Sequence, residues 1–262
     1  MKNRFFTTSL LGMLALAISL LDGCKKEAAT SSQPTVGTVS FEIANVAGTK
    51  AVALDGTTYA TASGETFRIT TFKYYISNVI FTKADGGTYA APGIYHLVDA
   101  SKPTTTKLTI DNVPVGNYSG VKFIVGVDST TTKADPLSLT DDLNPANNMY
   151  WAWASGHIFL KLEGTVTSAG NKALTAHIGG YRPPYSAIVT AAPAFPSGTT
   201  LLVRADHAAE LYLSADVLKL FDGVTHIPLS TFPTAMSPSA ASVQVAQNYA
   251  AGMFTVERVN AN

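Results

Sequence analysis

Residues 66–89 read TFRITTFKYYISNVIFTKADGGTY, and the reading of this stretch decides the fold class. It is dense in Thr, Ile, Val, Phe and Tyr, the residues that suit a pleated and half-buried surface. It ends at Asp85-Gly86-Gly87, a turn signal for a β-hairpin. Outward from it, TVSFEIANV alternates Val39, Phe41 and Ile43 with Ser40, Glu42 and Ala44, the period of a half-buried strand. IYHLVD, KLTIDNVPVGNY and GVKFIVGVD follow, separated by Pro-Gly and Asn-Asp punctuation. HIFLKLEGTV, KALTAHIGG and TTLLVRADHAAELYLSAD complete the set. Helical periodicity is confined to ADVLKLFDG and SVQVAQNYAAGMF. The expected architecture is all-β, a β-sandwich or barrel-like arrangement of antiparallel sheets with one or two short helices.

The N-terminus sets the expected compartment. Lys2 and Arg4 precede the apolar run SLLGMLALAISLL, and Asp22-Gly23-Cys24 follows. The run is too short to span a membrane and has the flanks of an export signal. LLDGC resembles a bacterial lipobox, although Asp22 departs from the small uncharged residue usual there. Residues 1–23 are thus read as a lipoprotein signal peptide and Cys24 as the lipidation site, which anchors the chain in the cell envelope. The anchor would face the periplasm or lie in the outer membrane. Residues 24–36, which include the polar run KKEAATSSQPTV, read as a flexible tether, and 37–262 as one domain.

Composition excludes several function classes. The chain carries 18 basic and 18 acidic residues, so it lacks the positive footprint of a nucleic-acid binder. Cys24 is its sole cysteine, which leaves no disulfide and no CxxC motif. GxSxG, HExxH and P-loop patterns are absent, and Ser155 beside Gly156 and His157 does not by itself make a triad. Asp128, Asp135, Asp141 and Asp142 lie in a polar, Pro-broken segment without the order of a calcium loop, so it reads as a solvated loop.

The stretch MYWAWASGHIFLKLEG holds both tryptophans, Trp151 and Trp153. On one continuous strand Met149, Trp151, Trp153 and Ser155 share a face, continued by His157. That face is either packing core or a chemical site. The histidines His96, His157, His177, His207 and His226 form no HxH or HxxxH pair, so any metal site must draw its ligands from separate strands.

Several phrases in order then carry a resemblance: FKYYISNVIF, YHLVD, NVPVGNYSGVKFIVGVD, MYWAWASGHIFLKLEG, AHIGG and VAQNYAAGMFTVERVN. Together they resemble the MbnP-like family, periplasmic or lipid-anchored proteins named for the partner protein of methanobactin operons. The resemblance implies copper binding and a non-enzymatic role in copper acquisition or handling. It also implies a partner di-haem MauG-like peroxidase that oxidises a tryptophan to kynurenine, freeing an aromatic amine and a ketone oxygen. Carried onto this chain, the modified residue is Trp153 or Trp151. His177 in AHIGG is the first-choice ligand, His96 and His207 the second, and His157 stands where relatives carry tyrosine. FEIAN lacks a histidine expected there, and Arg258 stands where histidine is common. The alternative is therefore a metal-free surface-binding or structural lipoprotein with a degenerate metal site. A third reading takes Trp151 and Trp153 as sugar platforms, which requires both indoles to be exposed.

Overall fold

Residues 66–89 do form the spine of the molecule. In a computed structural model describing residues 35–153 and 156–260, Thr66–Lys83 is one strand of 18 residues. The turn after it closes as expected, with the Lys83 N–H donating to the Gly87 carbonyl (2.7 Å) and Gly86 at φ +89°. Only glycine takes that conformation without strain. The long strand then pairs in turn with Thr58–Ala60, Thr88–Ala90, Tyr95–Asp99, Gly116–Val125 and Gly156–Val166, all antiparallel. Register shifts after Ser77 and Thr82, with Asn78 at φ +51°, let one strand serve so many partners. Lys172–Gly179 and the short Tyr150–Trp151 flank Gly156–Val166, and Thr190–Ala191 and Leu201–Val203 flank Gly116–Val125, to give a ten-stranded sheet.

A second, five-stranded sheet runs in the order Phe254–Asn260, Ala209–Asp216, Val36–Ala47, Lys50–Ala51, with Lys107–Pro114 also on Val36–Ala47. Its centre departs from the antiparallel expectation. Val36–Ala47 and Ala209–Asp216 pair in parallel, Val39 opposite Ala209 through Val46 opposite Asp216. Such a pair needs a long crossover, and the whole ten-stranded sheet is inserted between the two strands. The first strand opens at Val36, at the end of the segment read as tether. The signal peptide and Cys24 lie outside the described residues, as does Ser155.

The sheets meet through aromatic side chains. Phe41 packs edge-on to Phe81 with ring centroids 6.2 Å apart. Phe254 packs on Phe123 at 5.0 Å and on Tyr74 at 5.7 Å. These rings are buried, and each stabilises the fold by about 1.5–3 kcal/mol relative to exposure. The result is a sandwich of two open sheets with no closed barrel. The two helical expectations split. Val217–Leu220 is a single 3-10 turn, whereas Ala240–Gly252 is an α-helix capped by the Ser239 hydroxyl on the Ser242 N–H. The polar segment 128–148 is built of four 3-10 turns and is pinned down. Asp128 accepts from the Tyr95 hydroxyl (2.5 Å), Asp142 accepts from the Leu97 N–H (2.9 Å), and Thr132 is fully buried.

Candidate functional site

Segment 128–148 delivers the chain into the tryptophan pair. Asn144 and the 3-10 turn Pro145–Asn147 end at Asn148, in the left-handed region at φ +59°, and Met149 enters the core. Tyr150 and Trp151 then pair with His157 and Gly156, and the Ile158 N–H donates to the Met149 carbonyl (2.9 Å). The chain therefore reverses between Trp151 and Gly156. This corrects the continuous strand read from the alternation of Met149, Trp151, Trp153 and Ser155. Ala152 and Trp153 are turn residues directly after the Tyr150–Trp151 strand. Trp151 is 4% exposed and Trp153 66% exposed, yet their rings stay 5.7 Å apart at 40°. One buried and one exposed indole do not make the double platform that the sugar-binding reading required.

The AHIGG phrase has a physical reason in the same place. A Cβ on Gly179 would lie 2.9 Å from Cζ3 of Trp151 and 2.6 Å from the His157 carbonyl oxygen. The indole lies directly on the glycine backbone, so glycine is required there. Gly180, at φ +118°, would bring a Cβ to 2.5 Å from the Tyr185 carbonyl oxygen. The indole N–H of Trp151 is buried without a hydrogen-bond partner. Beside the ring lies a cavity of about 170 Å³, lined by Trp151, Gly156, His157, Tyr181, Arg182 and Pro238 among the described residues.

The histidines do not converge. His157 is 1% exposed and fully employed: Nε2–H donates to the Leu143 carbonyl (3.1 Å), and Nδ1 accepts from the Thr132 hydroxyl (3.1 Å). The Leu143 carbonyl can only accept, which fixes this tautomer. Tyr75 and Tyr150 pack edge-on against the ring, and burial pushes its pKa below the ordinary value. His96 donates Nε2–H to the Thr105 carbonyl (2.7 Å) and faces Asp142 through Nδ1 (3.4 Å). His207 pairs Nδ1 with Asp206 at 2.8 Å, with Nε2 buried and unpartnered, and His226 pairs with Asp222 at 3.0 Å.

His177 is the most ligand-like of the five. Its Nε2–H donates to Glu163 Oε1 at 2.7 Å, an arrangement that orients an imidazole and leaves Nδ1 as the lone-pair nitrogen. Burial lowers the His177 pKa, and the carboxylate bond only partly opposes it. Burial works to raise the Glu163 carboxyl, but His177, Thr71 and Lys161 together hold it below its usual range. The pair is thus a neutral imidazole on an ionised carboxylate. No third donor joins it: among the described residues no three of His, Cys, Asp and Glu come together. Asp128, Asp135 and Asp142 instead each accept from a backbone N–H of a turn or strand.

Residues 36–237 match the family model described as MbnP. The chain belongs to the MbnP family. The MbnP of Methylosinus trichosporium, a solved structure, superposes with a TM-score of 0.55 at 15% identity, covering 86% of this chain and 96% of that one. At that identity the likeness shows the shared fold. The chain matches no curated protein sequence. Within the MbnP fold, three local residues were not singled out by sequence reasoning. Thr132 holds both the His157 ring and its backbone N–H, Glu163 orients His177, and Arg182 edges the cavity. Glu163 had a faint signal, because Lys161 and Glu163 alternate with Leu160 and Leu162 and so share the face opposite the core. Thr132 and Arg182 had none.

Proposed function

We propose that this MbnP-family protein is a non-enzymatic protein of the cell envelope whose working part is the tryptophan hairpin, with no preformed multi-histidine copper centre among the described residues. The export signal and Cys24 support the envelope location and a lipid anchor in the membrane. The observation that carries the reading is the contrast between the site's two halves. The indoles are brought together, one seated on Gly179 and the other presented to solvent. His96 and His157 bond through both ring nitrogens in different parts of the fold, and His207 pairs only its Nδ1. Copper, implied by the family, finds available nitrogens on separated imidazoles, His177 Nδ1 and His207 Nε2, and no group of three donor residues among the described residues. The described residues do not fit a preformed multi-histidine centre.

Trp153 is the indole that a partner di-haem peroxidase would oxidise, since it alone is open to an approaching protein. Two equivalents of peroxide add two oxygens to the indole and release two waters. Hydrolysis then removes formate, so the residue loses one carbon and gains one oxygen. Peptide mass spectrometry on protein from its native host, covering residues 134–161, tests this. The expected result is kynurenine at position 153; an unmodified pair returns both indoles to a packing role.

One observation favours a second reading, copper handling through His177, namely its carboxylate-oriented ring. Equilibrium dialysis with Cu(I) and Cu(II) separates the readings. Unmodified protein is expected to take up no stoichiometric copper, and stoichiometric binding lost on His177→Ala establishes copper handling instead.

A further inference from the structure

The cavity beside Trp151 has the chemistry of a ligand site. Its walls are flat and apolar: the Trp151 indole, the Tyr181 ring and Pro238. Its volume of about 170 Å³ exceeds the roughly 150 Å³ that accommodates a benzene ring in a protein interior. Its cation is unspent. Arg182 stacks on Tyr181 with its guanidinium carbon 4.8 Å from the ring centroid, and makes no ion pair among the described residues. Lys133 approaches the same ring at 5.7 Å. Asp135 uses a carboxylate oxygen to cap the Leu137 N–H. One cation, Arg182, thus edges a slot the size of an aromatic ring, with Lys133 near the same Tyr181 ring. His157 also lines the slot, but both its ring nitrogens are already bonded.

We propose that this cavity binds a small planar aromatic carboxylate, its ring against Trp151 and Tyr181 and its carboxylate on Arg182. Arginine suits the task because its planar fork matches a carboxylate. Gly156 keeps the slot open. A methyl there would meet Tyr181 at 3.5 Å and the Thr132 hydroxyl at 3.7 Å, contacts the fold tolerates but which narrow the space. The inference does not depend on tryptophan oxidation, because it concerns the unmodified side chains.

Benzoate is the probe, benzamide its neutral counterpart, and the chain's two tryptophans are the reporters. Titration of unmodified full-length protein is expected to give a saturable change in tryptophan fluorescence with benzoate. Benzamide is expected to bind at least fivefold more weakly. Arg182→Gln, at an exposed position, is expected to weaken benzoate at least fivefold without altering the unfolding midpoint. Gly156→Ala is expected to weaken benzoate and benzamide alike. The proposal is overturned by the absence of a saturable signal up to about 10 mM benzoate, a weak limit for so small a ligand. It is equally overturned if benzamide matches benzoate, or if Arg182→Gln leaves benzoate affinity unchanged.

Discussion

His157 is the residue whose reading changes most between sequence and structure. As a lone histidine beside two tryptophans it invited a metal; in the fold it is a buried, neutral link between segment 128–148 and the hairpin. Its folded-state pKa lies below 6.5, so the unfolded chain binds the extra proton first as the pH falls. Stability is then present above the unfolded value and is lost as the pH drops through the folded one. His177 shifts in the same direction and adds to the loss. Urea midpoints are therefore expected to fall between about pH 7.5 and about pH 5.5, and His157→Gln to show a smaller fall. A midpoint that stays flat across that window would rule out this role. Asp99, Asp128, Asp142 and Glu163, all held below their ordinary values, add a separate loss below about pH 4. Sequence reasoning named the histidines and the tryptophans but not their partners. Thr132 lies 25 residues from His157, and no local pattern brings the two together.

Among the elements, the tryptophan hairpin depends on that threonine. The Thr132 Oγ1 accepts from the His157 backbone N–H (2.9 Å) and donates to Nδ1 of its ring. Thr132→Val keeps the shape but strands both groups in a buried site, at a cost of about 1–3 kcal/mol. Thr132→Ser keeps the hydroxyl and is expected to recover most of that loss in a urea titration. Amide exchange at His157 is expected to quicken in the valine variant alone; equal exchange in all three proteins would sink the assignment. The turn itself was hidden from the sequence because WAWASG alternates as a strand does. It has no Asn-Gly or Asp-Gly signal, and its reversal is fixed by pairing with Gly156–Val166 and by the seat on Gly179.

For the whole molecule, the part beyond the family match is structural and not an appendage. The match ends at residue 237, yet Tyr249 and Met253 of the following segment are fully buried. Asn248 ties the helix to the Leu220 and Thr225 carbonyls, at 3.0 and 2.7 Å. Phe254–Asn260 completes the five-stranded sheet and sends Phe254 between Phe123 and Tyr74. Removing residues 238–262 uncovers the strand Ala209–Asp216 and opens the aromatic layer between the sheets. Exposed edges of this kind aggregate. The truncated chain is expected to lose cooperative unfolding and to accumulate as insoluble protein. A soluble truncation unfolding at the parent midpoint would show that the fold is complete at 237.

The sequence by itself determined what local chemistry determines. Period-two alternation and Asp85-Gly86-Gly87 made the strands and one hairpin legible, and the ordered phrases made the family legible. Tertiary structure alone decided which distant residues meet. It paired Val36–Ala47 in parallel with a strand some 170 positions later, split the tryptophans between core and solvent, and dispersed the histidines. The physical reason is one of range. Side-chain alternation and turn propensity act over a few residues, whereas hydrogen-bond partners and ligand sets are chosen by packing between strands remote in the chain.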